Sequence, residues 1–215
     1  MRTRARGKEL KGKSTKEKPC KIYIFTEGDT EEIYLQHYDN KKKGIEVIPV
    51  DPKHTDAVGI VKYAKKYIDD NEVDVELGDK RYCVFDSDPE SNPNINEAFD
   101  LVNGYKHKGL ECIFSNPSFE IWFILHYRKA PYGKSAEDVK KIVKDLVKEE
   151  EPEYKETTDI FDILLDKQDK AFKEAVMLHK TQAEVHKSVF SHECNPYTNM
   201  FEFITYIKEV KKDIR

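Results

Sequence analysis

The chain has 215 residues, a length that suits one buried core with an extension rather than two independent domains of usual size. Hydrophobic residues make up 38% and charged residues 36%, with a formal net charge of −4, which is typical of a globular protein with a heavily charged surface. We expect neither a signal peptide nor a membrane anchor, since no apolar run approaches the roughly 20 residues that span a bilayer. The four cysteines are widely separated and form no CxxC pair, which favours reduced thiols and a cytoplasmic location.

Positive charge is concentrated at the start of the chain. Residues 1–21 hold nine Lys or Arg and two Glu, a net charge of +7, so the remainder carries −11. Residues 1–19 have almost no apolar side chains and are therefore expected to form a basic, flexible arm. Such an arm would attract a polyanion such as nucleic acid by releasing counterions, although a solvated tail that aids solubility explains the same charge.

Short apolar runs alternate with helical patterns from residue 20 to about residue 130. Strands are predicted at residues 20–25, 45–50, 82–85 and 110–114, and helices at 30–38, 58–68, 94–107 and 119–127. This alternation predicts an α/β domain over residues 20–130, with a doubly wound, mostly parallel, four-stranded sheet.

The pattern changes to helices alone after residue 130. Helices are predicted at residues 136–150, 160–165, 170–189 and 200–214. No Gly/Ser-rich linker separates them from the preceding residues, so residues 131–215 are expected to form a helical region packed on the sheet domain.

Acidic residues follow two of the predicted strands. Glu27 comes directly after the first strand, and Asp86 and Asp88 follow the third. The carboxyl ends of parallel strands meet at one edge of a sheet, and residues two apart in an extended segment point the same way. Glu31, four residues beyond Glu27, adds a carboxylate from the first helical turn. We therefore predict that these four acids share one site.

A site built from several carboxylates is stable at neutral pH when protons or a divalent cation offset their repulsion. Ligands that are all oxygen suit Mg²⁺ or Mn²⁺, and such a cation can activate water or polarise a phosphoryl oxygen. The predicted chemistry is phosphoryl transfer or phosphodiester hydrolysis. Two structural interpretations stay open: Asp86 to Asp88 as a turn with Asx-type capping, and Glu31 as a residue that stabilises a helix N-terminus.

Asn116 and Glu120 belong to a third motif, which opens the helix after the fourth strand. The segment Ser115-Asn116-Pro117-Ser118-Phe119-Glu120 lies at the same predicted sheet edge as the acids. Either side chain is suited to orienting a metal-bound water or, equally, to capping the helix.

Two of these motifs resemble the TOPRIM pattern of topoisomerases, primases and OLD-type nucleases. They are Thr26-Glu27-Gly28-Asp29-Thr30-Glu31 and Val84-Phe85-Asp86-Ser87-Asp88, each placed after an apolar strand. The resemblance implies a TOPRIM-like sheet in which Glu27, Glu31, Asp86 and Asp88 hold divalent metal for the cleavage of nucleic acid.

A closer resemblance covers nearly the whole chain. Phe114 to Trp122 (FSNPSFEIW), Leu125-His126-Tyr127, the basic start and Asn195-Pro196-Tyr197-Thr198 are similar to the RloB-like family of phage-defence proteins. The family resemblance implies a TOPRIM-like domain with a helical C-terminal part, a role in abortive infection or an association with restriction loci, and nuclease activity. It also implies that the protein binds nucleic acid and that a regulatory or ATPase protein of a defence locus is its partner. Assembly into a homo-oligomer is a further expectation.

The leading hypothesis is a metal-dependent endonuclease that cuts DNA or RNA, tRNA included. A second hypothesis is a non-catalytic subunit that binds nucleic acid or an effector. A third takes Asp86 and Asp88 as the nucleophile pair of a haloacid-dehalogenase-like phosphatase, although that fold places its DxD motif after the first strand.

Overall fold

The computed structural model describes residues 20–26, 28–40, 45–49, 56–71, 79–89 and 92–210. Glu27, the predicted basic arm at residues 1–19, and the last residues of the final predicted helix lie outside these ranges. Within them, no helix combines the length and the apolar character that crossing a membrane requires.

The described residues form one sheet of five strands in the order β2-β1-β3-β4-β5. The strands are β1 (Cys20–Thr26), β2 (Ile45–Pro49), β3 (Lys80–Asp86), β4 (Leu110–Asn116) and β5 (Tyr197–Thr198). The first four are parallel, and β5 pairs antiparallel with the end of β4. The predicted α/β class and mostly parallel sheet are confirmed, but the prediction of four strands is wrong. β5 is two residues long, too short to produce an alternating pattern.

Eight helices connect or follow these strands in the described part of the chain. They are α1 (Asp29–Gln36), α2 (Ala57–Asp70), α3 (Ile95–Tyr105), α4 (Glu120–Tyr127), α5 (Ala136–Val147), α6 (Phe161–Leu165), α7 (Gln168–Val185) and α8 (Met200–Val210). Side-chain caps fix two of the starts: Asp56 accepts a hydrogen bond from the Gly59 N–H before α2, and Ser135 accepts one from the Asp138 N–H before α5.

Helices cover both faces of the sheet. On one face, α2 and α3 pack on Phe25, Cys83 and Phe85. The other face is covered by α1, by α4 and by helices that follow residue 130, as the edge-to-face contact of Tyr82 with Phe203 at 5.1 Å shows. All but the last residue of α4 are buried, in agreement with its apolar sequence. The helices after residue 130 therefore complete the core of the sheet.

His126 is a buried polar residue within α4. Its Nδ1 donates a hydrogen bond to the Trp122 carbonyl oxygen at 2.8 Å, and the ring is 1% exposed. Burial lowers the pKa of His126 to about 4, because the surrounding apolar residues disfavour the charged ring. The imidazole is therefore neutral at pH 7 and belongs to the packing of α4.

This shift predicts a pH-dependent stability. The unfolded chain, with a histidine pKa of 6.5, takes up the proton first as the pH falls, so the stabilisation is complete above pH 6.5 and is lost towards pH 4. We expect the free energy of unfolding to fall by about 2 kcal/mol more in the wild type than in His126→Leu between about pH 7.5 and about pH 5. Urea unfolding at the two pH values measures this difference, and parallel losses in both proteins would contradict it.

Candidate functional site

Asp86 and Asp88 lie at the centre of the carboxyl edge of the sheet. Asp86 is the last residue of β3, which runs between β1 and β4. In the sheet register Asp86 is level with Ser115, and Thr26, the last residue of β1, is level with Val84. Both aspartates are half-buried. The structure thus places them at the edge where the sequence predicted a site.

The backbone around the two aspartates is held by hydrogen bonds on both sides. The Ser87 N–H donates to the Ser115 carbonyl oxygen at 2.8 Å. Asn92, which is 2% exposed, donates from Nδ2 to the Asp86 carbonyl oxygen at 3.0 Å and from its N–H to the Asp88 carbonyl oxygen at 2.7 Å. Its Oδ1 accepts from the N–H of Ala57, the first residue of α2. The carboxylates therefore project from a preorganised backbone.

Glu31 lies in the first turn of α1 and is 6% exposed. Its carboxylate folds back over the turn between β1 and α1, since a Cβ atom placed on Gly28 would lie 3.1 Å from Glu31 Oε2. A larger residue at position 28 would crowd this carboxylate. Glu27, the predicted partner in the same turn, lies outside the described residues.

The two predicted residues of the third motif have different surroundings. Asn116 ends β4, and its Nδ2 donates to the carbonyl oxygens of Ser191 and His192 at 3.1 and 3.0 Å. The Asn116 amide therefore holds the loop that contains Ser191 and His192 against the sheet edge. Glu120 is the first residue of α4 and is 3% exposed. Its negative charge contributes to the raised pKa of Lys140 and of Tyr154.

Lys140 brings a positive charge to this acidic edge from α5. Its Nζ donates to Glu156 Oε2 at 2.8 Å. Burial lowers the pKa of Lys140, but the hydrogen bond to Glu156 and the negative charges of Glu120, Glu156 and Asp86 outweigh that effect and raise the pKa above its ordinary value. Lys140 therefore stays protonated beside the acids.

The loop between α5 and α6 approaches the same edge. Thr30 Oγ1, in the first turn of α1, donates to the Glu156 carbonyl oxygen at 2.9 Å. Tyr154 in this loop is 5% exposed, and burial, followed by the charges of Glu120 and Glu156, raises its pKa. No local motif distinguishes Lys140, Tyr154 and Glu156 from neighbouring residues of the same types, so the sequence does not predict their position at this edge.

Within the described ranges, which leave out Glu27, no three or more His, Cys, Asp or Glu side chains group closely enough to hold a metal ion. The described acids of the predicted site, Glu31, Asp86 and Asp88, offer oxygen donors alone, the ligand type that Mg²⁺ and Mn²⁺ prefer.

These features define an α/β protein in which Asp86 ends a central strand at the carboxyl edge of a mostly parallel sheet, within electrostatic reach of Lys140. A family model described as RloB-like protein matches residues 22–207. The chain therefore belongs to the RloB-like family, which confirms the predicted resemblance. Comparisons with curated proteins and with solved structures found no match.

Proposed function

We propose that this protein is a Mg²⁺- or Mn²⁺-dependent nuclease of the TOPRIM type that hydrolyses phosphodiester bonds of DNA or RNA, tRNA included, in anti-phage defence. The supporting observation is the fixed Asp86–Asp88 backbone at the carboxyl edge of the sheet, where the negative charge of Asp86 helps to raise the pKa of Lys140. In open α/β sheets, this edge is where ligands bind.

The charges of the site suit a phosphodiester substrate. Carboxylates alone would repel a phosphate, whereas Lys140 supplies a positive charge beside them. Glu27, Glu31, Asp86 and Asp88 are the residues that would hold the cation, whose chemical contribution is to stabilise negative charge on the phosphate in the transition state. Asn92 would keep the two aspartates in place as the substrate binds.

The proposed partners follow from the same function. A nuclease that cuts cellular nucleic acid harms its host unless it is restrained. We therefore include in the proposal a regulatory or ATPase protein of a defence locus and assembly of several copies of the chain. The basic residues of the first 19 positions would add contacts to phosphates that do not depend on sequence.

Removal of the metal tests the proposal. Purified protein is incubated with plasmid, single-stranded DNA, tRNA and total RNA in Mg²⁺, in Mn²⁺ or in EDTA. We expect at least one substrate to be cut with metal and none in EDTA, and the substrate that is cut identifies the class. Cleavage that persists in EDTA would contradict a metal-dependent reaction. If all substrates stay intact with either metal, the proposal of an autonomous nuclease is wrong and binding of nucleic acid becomes the function to test.

A further inference from the structure

A groove of about 380 Å³ lies between α3 and residues 186–193, outside the cluster of acids. Phe99 and Phe190 line it, with ring centroids 5.2 Å apart and ring planes tilted by 52°. Phe190 is half-buried, so part of its ring faces the groove. The volume of the groove falls in the range of about 300–1,000 Å³ that is usual for sites that bind small ligands.

Polar side chains of α3 line the same groove. Asn96, Asp100 and Asn103 are spaced by four and three residues, which places them on one face of the helix. Together they provide amide donors and acceptors and a carboxylate acceptor. Hydrogen-bonding groups beside an aromatic surface suit the edge and the face of a nucleobase.

The charges of the groove favour a base over a phosphate. The two carboxylates of the lining, Asp100 and Glu193, outnumber its one lysine, Lys187, and His186 Nδ1 lies 3.8 Å from Glu193 Oε2. A groove that held phosphates would instead require an excess of positive charge. The lining therefore matches the uncharged part of a nucleotide.

One wall of the groove is bonded directly to the acidic edge. Ser191 lines the groove, and its carbonyl oxygen accepts from Asn116 Nδ2. The next residue, His192, is joined through Nδ1 to Ser87 Oγ at 2.7 Å, and Ser87 lies between Asp86 and Asp88. The groove and the acidic edge are thus joined through the adjacent residues Ser191 and His192. A nucleic-acid strand with a phosphate at the acids would therefore pass next to the groove.

We propose that the groove between α3 and residues 186–193 binds a nucleobase of a single-stranded nucleic acid whose backbone passes the Asp86–Asp88 edge. This inference rests on the proposed function and adds a preference for unpaired substrate. Phe99 and Phe190 provide the apolar surface, and Asn96, Asp100 and Asn103 bond the edge of the base. A base held in a duplex would have to leave its stack to enter the groove.

The test compares binding of two single strands. A fluorescent ten-nucleotide DNA and the same strand with abasic sites in place of its bases are titrated with full-length protein in EDTA, and anisotropy gives the Kd of each. We expect the strand with bases to bind at least about fivefold more tightly, the size of one base–aromatic contact. Phe190→Leu and Asn103→Ala should each lower this ratio, while Kd for the abasic strand stays unchanged.

Two variants are needed because Phe190 also packs on Phe114 and Tyr197, whereas Asn103 is exposed. The control is Gln36→Ala, which removes an exposed amide from α1 on the opposite face of the sheet. Equal Kd values for the two strands in the wild type, or a ratio that both groove variants leave unchanged, would overturn the proposal.

A competition experiment separates the two sources of the base, which are a nucleic-acid strand and a free nucleotide. Free adenosine and cytidine monophosphates are added as competitors: competition in the wild type but not in Phe190→Leu supports the groove and shows that it also takes free nucleotides. Absence of competition, with the strand preference retained, supports a site for bases within a strand. The assay contains no metal and detects no cleavage, so it tests base binding separately from cleavage. A base preference in a protein that cuts nothing would refute the proposed nuclease and leave the proposed base site intact.

Discussion

Replacement of Asp86 by asparagine is expected to lower the rate of metal-dependent cleavage by about 10²- to 10³-fold, the usual loss when one charge-stabilising group leaves an active site. Asparagine keeps the shape of the side chain but removes a negative charge from the end of β3. The effect should appear in the rate at saturating substrate, because the proposed role of Asp86 is exerted in the transition state.

The same substitution should leave the fold intact. The Asp86 carbonyl oxygen, not its carboxylate, accepts the hydrogen bond from Asn92 Nδ2, so this contact survives in the variant. Thermal unfolding checks that expectation. Asp145→Asn, which changes an exposed aspartate of α5, is the control for the loss of one negative charge. Cleavage by Asp86→Asn at the rate of Asp145→Asn would remove Asp86 from the proposed mechanism.

Lys140→Met is the second substitution with a large expected effect. Methionine keeps an unbranched apolar stem of similar length and removes the charge. If Lys140 binds the scissile phosphate, cleavage should slow by about 10²-fold or more, and Lys140→Arg should restore part of the loss. Single-turnover cleavage measures the change.

The next residue offers a matched control. Lys141 is more exposed than Lys140, and its Nζ lies 2.7 Å from Glu137 Oε1. Lys141→Met therefore removes an equal charge from the same helix but from an ordinary surface ion pair, which contributes little to stability. If the two methionine variants cleave at the same rate, Lys140 serves only to pair with Glu156, and the proposed phosphate contact is wrong.

Most of the fold was predictable because its main elements have local signals. Short apolar runs predicted β1 and β3, and the apolar helix pattern predicted α4, whose Trp122 is fully buried. The predicted helix at 170–189 extends past the observed end of α7 at Val185. Val189 continues the apolar pattern, but it packs with the core of the α2–α3 face instead of continuing α7.

The position of Asp86 and Asp88 was predictable because neighbouring residues define it. Asp86 and Asp88 stand two apart at a strand end, and that spacing indicates a shared direction. Lys140 has no such signal, since it is one of several lysines in a charged amphipathic helix. Its electrostatic interaction with Asp86 links residues 54 positions apart in the chain, a relation that local periodicity does not encode.

Lys140, Tyr154 and Glu156 lie after residue 130, so the α/β domain does not contain the whole acidic edge by itself. A fragment that stopped at residue 130 would retain the sequence of all four predicted acids and four of the five strands. It would lack the lysine that offsets their charge, and it would uncover the face of the sheet on which Phe203 packs. Transfer of the acidic sheet alone to another protein would therefore move the acids without their positive counter-charge, and a fragment that keeps the proposed site together with the covered sheet face must extend through α8.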